Sequence, residues 1–143
     1  MKNIICYLTF NGNCREAMHF YKECIGGELA FQTIGESPLS EKMPSKMKDC
    51  ILHASLSKGN VVLMATDMTP QDGITKGNNI SMMIDCESEL EIKTLYEKLL
   101  NGGKSNHPLE NTFWGGVIGD LTDKFGNQWV LNFTRETTNI KNS

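Results

Sequence analysis

No apolar run in this sequence approaches the roughly 18 residues that a membrane-spanning helix needs, so no membrane partner is expected. Basic charge is not in excess either: 14 Lys and Arg stand against 17 Asp and Glu, a net charge of −3 with a pI near 5.6. A chain without a basic field has little to hold a phosphate backbone, which excludes nucleic acid as an expected partner. The five cysteines, Cys6, Cys14, Cys24, Cys50 and Cys86, are scattered and include no Cys-x-x-Cys pair. The close Cys/His spacing of a structural zinc site is missing. These cysteines read as reduced thiols buried as small apolar groups. Between Met1 and Cys6 there is no long apolar stretch, so no signal peptide is expected and the expected compartment is the cytoplasm.

What is present fits a soluble globular chain: 143 residues, 39% hydrophobic and 22% charged, enough for one domain or two small modules sharing a core. The clearest stretch is Trp114 to Phe133. Val117 to Thr122 predicts a strand, Asp123-Lys124-Phe125-Gly126 a tight turn, and Gln128 to Thr134 a returning strand. Asp at the first turn position accepts a backbone N–H from within the turn, and Gly at the fourth tolerates positive φ. On the returning strand Trp129, Leu131 and Phe133 share one face, while Gln128, Val130, Asn132 and Thr134 share the other. A function belongs on the second, mixed face.

Elsewhere, Asn3 to Phe10 predicts a strand, and Asn13 starts a helix as its cap with Glu16 three residues on. Ala17, Phe20, Tyr21, Cys24 and Ile25 form that helix's apolar stripe. Glu28 to Ile34 is a strand, Gly35 to Asp49 a long mobile connection and possible lid, and Cys50–Ser57 with Asn60–Thr66 a hairpin. Asp67 to Asn79 reads as a linker. The pattern then returns: a strand at Ile80 to Cys86, a cap at Ser88 with Glu91, an apolar stripe of Ile92, Leu95, Tyr96, Leu99 and Leu100, and a less regular strand at Lys104 to Phe113. Caps, capping acids and the glycine pairs Gly26-Gly27 and Gly102-Gly103 recur at an offset of 75 or 76 positions (88 − 13, 91 − 16, 102 − 26). Strand, cap, acid, stripe and double glycine in one order twice predict two βαβββ modules, at about 1–67 and 80–135, with a tail at 136–143. One helix on the outer face of each four-stranded sheet leaves inner faces that pairing would curl into a cup.

The segments YLTFNGNCREAMHFYKECIGGE, HASLSKGNVVLMATD and FWGGVIGDLTDKFGNQWVLNF resemble the PhnB-like branch of the vicinal oxygen chelate superfamily, relatives of glyoxalase I and bleomycin-resistance proteins. The resemblance runs from about Asn3 to Arg135. It implies an α+β fold of paired βαβββ modules forming a curved eight-stranded mixed sheet, a homodimer, and a small-molecule or metal site in the cup. Some members carry a methyltransferase label, but no Gly-rich loop follows a strand here to hold a nucleotide-like cofactor. Superfamily enzymes hold a divalent ion with His, Glu and similar ligands. Carrying their positions over gives Cys6, Leu63 or its neighbour Met64, Ser81 and Val130. Such an ion wants three or four converging carboxylates or imidazoles, which this set does not supply. The implied metal site is therefore lost, and neither metal nor other cofactor is expected. In the closing motif Gly116, Val117, Lys124 and Asn127 replace residue types that relatives often carry there.

Six residues form the candidate ligand-binding set: Cys6, His53, Ser81, Asp85, Trp114 and Asn132. His53 is either packed in mid-strand with one hydrogen bond or faces the cup as a polar anchor. Trp114, beside Gly115-Gly116, either stacks on a flat ligand or packs the fold. Asp85 and Asn132 reach the cup face by alternation, although a solvated strand end explains Asp85 equally. Met64, Met82 and Met83 line an apolar pocket or fill the core. His19 reads as solvent-facing, and His107, before Pro108, sits in an edge strand or loop, with reaching the cup as the less favoured alternative. No nucleophile constellation is defined by spacing. The expected function is metal-independent binding of a small organic molecule. A divalent-metal lyase, isomerase or dioxygenase with displaced ligands and a drug-sequestering protein are the alternatives.

Overall fold

The computed structural model describes residues 1–135; the expected tail at 136–143 lies outside the described residues. The chain divides into two compact units, Met1–Thr75 and Lys76–Ser143. The α+β class and the repeated βαβββ order are both present.

In the first unit β1 (Cys6–Thr9), α1 (Cys14–Ile25), β2 (Glu28–Thr33), β3 (Ile51–Lys58) and β4 (Val61–Thr66) form a four-stranded sheet in the order β1-β4-β3-β2. In the second, β5 (Met82–Cys86), α2 (Glu89–Leu100), β6 (Lys104–Asn111), β7 (Gly116–Thr122) and β8 (Gln128–Thr134) repeat it as β5-β8-β7-β6. The eight strands are thus hydrogen-bonded as two ladders of four, one per repeat. In both, the first strand runs parallel to the last and the remaining pairs are antiparallel.

Each helix covers one face of its own sheet. Ala17, Met18, Phe20 and Tyr21 of α1 and Ile92, Leu95, Tyr96 and Leu99 of α2 are buried, facing strand residues such as Ala54, Leu56 and Ala65 or Leu121, Trp129 and Leu131. The predicted stripes are met except at their ends, where Cys24 and Leu100 are only half-buried and Met18 joins the core. The turn after β7 forms as its residues dictate. Gly126 N donates to Asp123 O at 2.9 Å, Gly126 has φ 87°, and Asp123 Oδ1 accepts from Phe125 N at 2.8 Å. Oδ2 of the same carboxylate accepts Trp129 Nε1–H at 2.8 Å, which fixes the indole in the core.

The glycine pairs serve the repeat in a way that helix termination alone does not explain. Gly26 and Gly102 leave their helices with φ of 86° and 81°. The second glycine of each pair then passes against the sheet: a Cβ on Gly27 would lie 2.4 Å from Ser57 O, and one on Gly103 2.2 Å from Thr122 O.

Three expectations are corrected. The first strand begins at Cys6, not Asn3, and the fifth likewise at Met82, not Ile80, which leaves Ser81 ahead of it. Gly35 to Asp49 is not without structure. It folds into short 3₁₀ turns at Pro38–Glu41 and Ser45–Met47, closed by Gly35 N to Lys48 O at 2.9 Å and Ile34 N to Cys50 O at 2.9 Å. Finally, the Asn13 side chain makes no capping bond. Asp67, which follows β4, accepts the N–H groups of Gly12 and Cys14 through Oδ1 at 2.9 and 3.0 Å, and that of Ile51 through Oδ2 at 2.9 Å. A buried carboxylate meets three orphan donors at once, so the weaker local amide is not needed. In the second unit the expected cap forms, with Ser88 Oγ accepting Glu91 N at 3.0 Å.

Candidate functional site

The face of each sheet opposite its helix carries the side chains that are free to meet a ligand. Register assigns them. In the first unit Tyr7 pairs with Met64, Met64 with Ser55 and Gln32 with His53, so these share the open face. His53 is on that side, half-buried, its ring stacked on exposed Tyr7 with centroids 6.4 Å apart and planes 24° apart. Cys6 is not there. It pairs with Leu63, 4% exposed against the helix, and in a parallel pair partners point the same way. Burial pushes the Cys6 thiol above its ordinary value, which makes it a poorer thiolate donor.

In the second unit Met83 pairs with Val130 and Asp85 with Asn132, while Trp129 and Leu131 point inward with Met82 and Ile84. Asn132 Nδ2 donates to Asp85 Oδ1 at 2.8 Å and to Thr134 Oγ1 at 3.4 Å. The structure therefore brings Asp85 and Asn132 together. Ser81 precedes β5 and is exposed. Trp114 sits in the β6–β7 turn, half exposed, with the Phe113 ring edge-on at 4.9 Å. That turn is held by Gly116 N to Thr112 Oγ1 at 2.8 Å and Arg135 N to Gly115 O at 3.1 Å. The Arg135 guanidinium also bonds Glu89 on α2, and this hydrogen bond, with the attendant charge, holds the Glu89 carboxyl below its usual range.

Sequence reasoning missed one pair on this face. His107 Nδ1 lies 2.9 Å from Asp120 Oδ2, beside the Met83–Val130 row. The signal was available only as a histidine before proline in an irregular strand. A separate cleft of about 480 Å³ lies by the start of α1, lined by Arg15, Glu16, His19 and Cys50 around Asp67. The Asp67 carboxylate there is already engaged by three backbone donors.

The positions that the resemblance implies for a divalent ion, Cys6, Leu63 or Met64, Ser81 and Val130, hold donors of the wrong kind. On the open faces stand a thioether, Met64, and an aliphatic side chain, Val130, while Cys6 points to the helix side. Among the described residues no three His, Cys, Asp or Glu side chains gather as a metal ion would require. The residues present do not fit the implied ion.

Residues 2–132 match the family described as 3-demethylubiquinone-9 3-methyltransferase. The chain belongs to that family. It is 31% identical over 139 residues to protein YjdN of Escherichia coli (strain K12), covering 91% of this chain and 94% of that protein. Among solved structures it is similar to protein PA1353 from Pseudomonas aeruginosa, with 37% identity, a TM-score of 0.83, and coverage of 95% of this chain and 100% of that one. A PhnB protein from Bacillus cereus follows at 26% identity and TM-score 0.72, covering 93% and 100%. A glyoxalase-related enzyme from Fulvimarina pelagi, 19% identical with TM-score 0.60 over 94% and 89% of the two chains, shares the fold. The family model and the PhnB neighbour thus agree on the family, and the glyoxalase-related structure adds likeness of fold. No described helix is long and apolar enough to cross a membrane.

Proposed function

We propose that this PhnB-like protein binds a small organic molecule on the open faces of its sheets without the divalent ion of its superfamily. One observation carries the reading: the ligand positions that the resemblance implies hold Met64 and Val130 on the open faces, a neutral serine hydroxyl at exposed Ser81, and Cys6 on the helix side. A thioether, an alkyl group and a desolvated thiol do not hold a hard or borderline cation. Around them the faces offer what a neutral organic ligand uses, aromatic Tyr7 and His53 in one unit and the Asp85–Asn132 amide–carboxylate pair in the other. The methyl-transfer activity named in the family's description has less support. Of the two strand-to-helix loops, one has its N–H groups filled by Asp67, and at the other Glu91 Oε1 accepts Glu87 N at 2.8 Å. The homodimer implied by the resemblance belongs to the same proposal.

A thermal-shift screen against metabolites and drugs, run in buffer with EDTA, tests this. A ligand at about 100 times its dissociation constant adds roughly 2.7 kcal/mol to stability. The proposal expects binders whose effect is unchanged by EDTA and reduced in Asn132→Ala. Binders that stabilise only when a divalent ion is added would instead favour the metal-dependent alternative. Tight binding of a drug without turnover narrows the proposal to sequestration.

A further inference from the structure

On the open face of the second sheet, an irregular strand builds one titratable pair. β6 slips register twice around His107, between Ser105 and His107 and again between His107 and Glu110. Such bulges re-aim side chains. Pro108 follows and gives no ladder donor. Facing it on β7, Gly119 admits the close backbone: a Cβ there would lie 3.0 Å from both His107 O and Leu109 N. His107 consequently stands directly opposite Asp120, with Nδ1 2.9 Å from Oδ2.

Both backbone positions are tied to the core by one side chain. Tyr96 on α2 is 6% exposed, and its hydroxyl lies 3.0 Å from the carbonyl oxygens of both His107 and Asp120, and 2.7 Å from Ser105 Oγ. A carboxylate accepts hydrogen bonds and donates none, so Nδ1 carries a ring hydrogen, and in the neutral form of the ring the lone pair is on Nε2. The His107 side chain is 76% exposed and Asp120 34%, so the acceptor is reachable from solvent while its partner is partly sheltered.

We propose that His107 is a general base for a weakly acidic organic ligand on this face, with Asp120 as its positioning residue. Nε2 takes the proton of a C–H or X–H bond, the electron pair stays on the ligand, and the imidazolium is held by the Asp120 carboxylate. Val130, the strand neighbour of Asp120, and Asn132 two residues along would lie beneath such a ligand. The inference rests on the reading that a ligand occupies the open face.

The test has two arms. Long-range nitrogen–proton NMR of the intact chain reads the neutral tautomer of His107 with no ligand present. The expected result is hydrogen on Nδ1, shifting toward Nε2 in Asp120→Asn. Nitrobenzisoxazole then serves as a proton-transfer probe: the base removes its ring C–H, that electron pair completes a nitrile, and the N–O bond breaks to a coloured phenolate. Turnover by the wild-type chain is expected to exceed that of His107→Gln by about 10-fold or more. A ring hydrogen on Nε2 in the wild type, or probe rates within about twofold of each other, would overturn the dyad. A metabolite screen without any binder would instead remove the reading beneath it while leaving the tautomer intact.

Discussion

Asp67 Oδ1 accepts the backbone N–H of Cys14 at 3.0 Å across 53 positions of chain, so the first helix is capped by the residue that follows the last strand of its own unit. Helix start, strand end and the beginning of β3 meet on one carboxylate, because Oδ2 takes the N–H of Ile51. Replacing Asp67 with Ala strands three donors and is expected to cost about 3 kcal/mol in urea unfolding. Asn13→Ala, at the formal cap position, is expected to cost less than about 0.5 kcal/mol. Equal costs would contradict the assignment.

The turn carboxylate Asp123 predicts a similar asymmetry in the second unit. Asp123→Asn keeps an acceptor for Phe125 N but weakens the set of bonds that includes Trp129 Nε1. A loss of about 1 to 2 kcal/mol is expected, with a red-shifted Trp emission as the indole loosens. Unchanged emission together with unchanged stability would contradict it.

Close approach separates two kinds of glycine. Gly27→Ala and Gly103→Ala set a methyl group against the Ser57 and Thr122 carbonyls and are expected to cost about 3 kcal/mol or more, or to abolish folding. Gly12→Ala, at φ 89° with nothing within 4 Å, meets backbone strain alone, about 1 kcal/mol. Thermal melts of the three variants rank them.

Buried thiols give a pH dependence of known sign. Burial, with Asp67 adding, pushes Cys14 from 9.0 up to about 12, and burial with Glu91 pushes Cys86 up to about 11. The folded state therefore holds these protons more tightly than the unfolded chain. Their contribution is full below about pH 9 and is lost as pH rises through that window. Unfolding free energy measured from pH 8 to 12 should fall less steeply in Cys14→Ala than in the wild type; identical slopes would contradict this.

Much of the fold was legible because its signals are local. The Ser88 cap, the stripe that begins at Ile92, the Asp123 turn and the alternation from Gln128 to Thr134 need only neighbouring residues. The 75-residue repeat then supplied the topology. What sequence could not give is long-range. Asn13 looked like a cap until Asp67 arrived from 53 positions beyond Cys14, and Cys6 seemed to line the open face until parallel pairing with Leu63 fixed its side. His107 and Asp120 meet because of two bulges that no period-2 pattern reveals. The polar stretch from Gly35 to Asp49 folds through backbone bonds and one buried serine, Ser37, whose Oγ bonds Ile34 O at 2.7 Å, with no apolar periodicity to announce it.

Elemental analysis of protein purified without chelator bears most directly on metal-independent binding. Well under one equivalent of any divalent transition metal per chain is the predicted result. One tightly held Mn, Fe, Ni or Zn per chain, lost together with ligand binding on dialysis against EDTA, would contradict it.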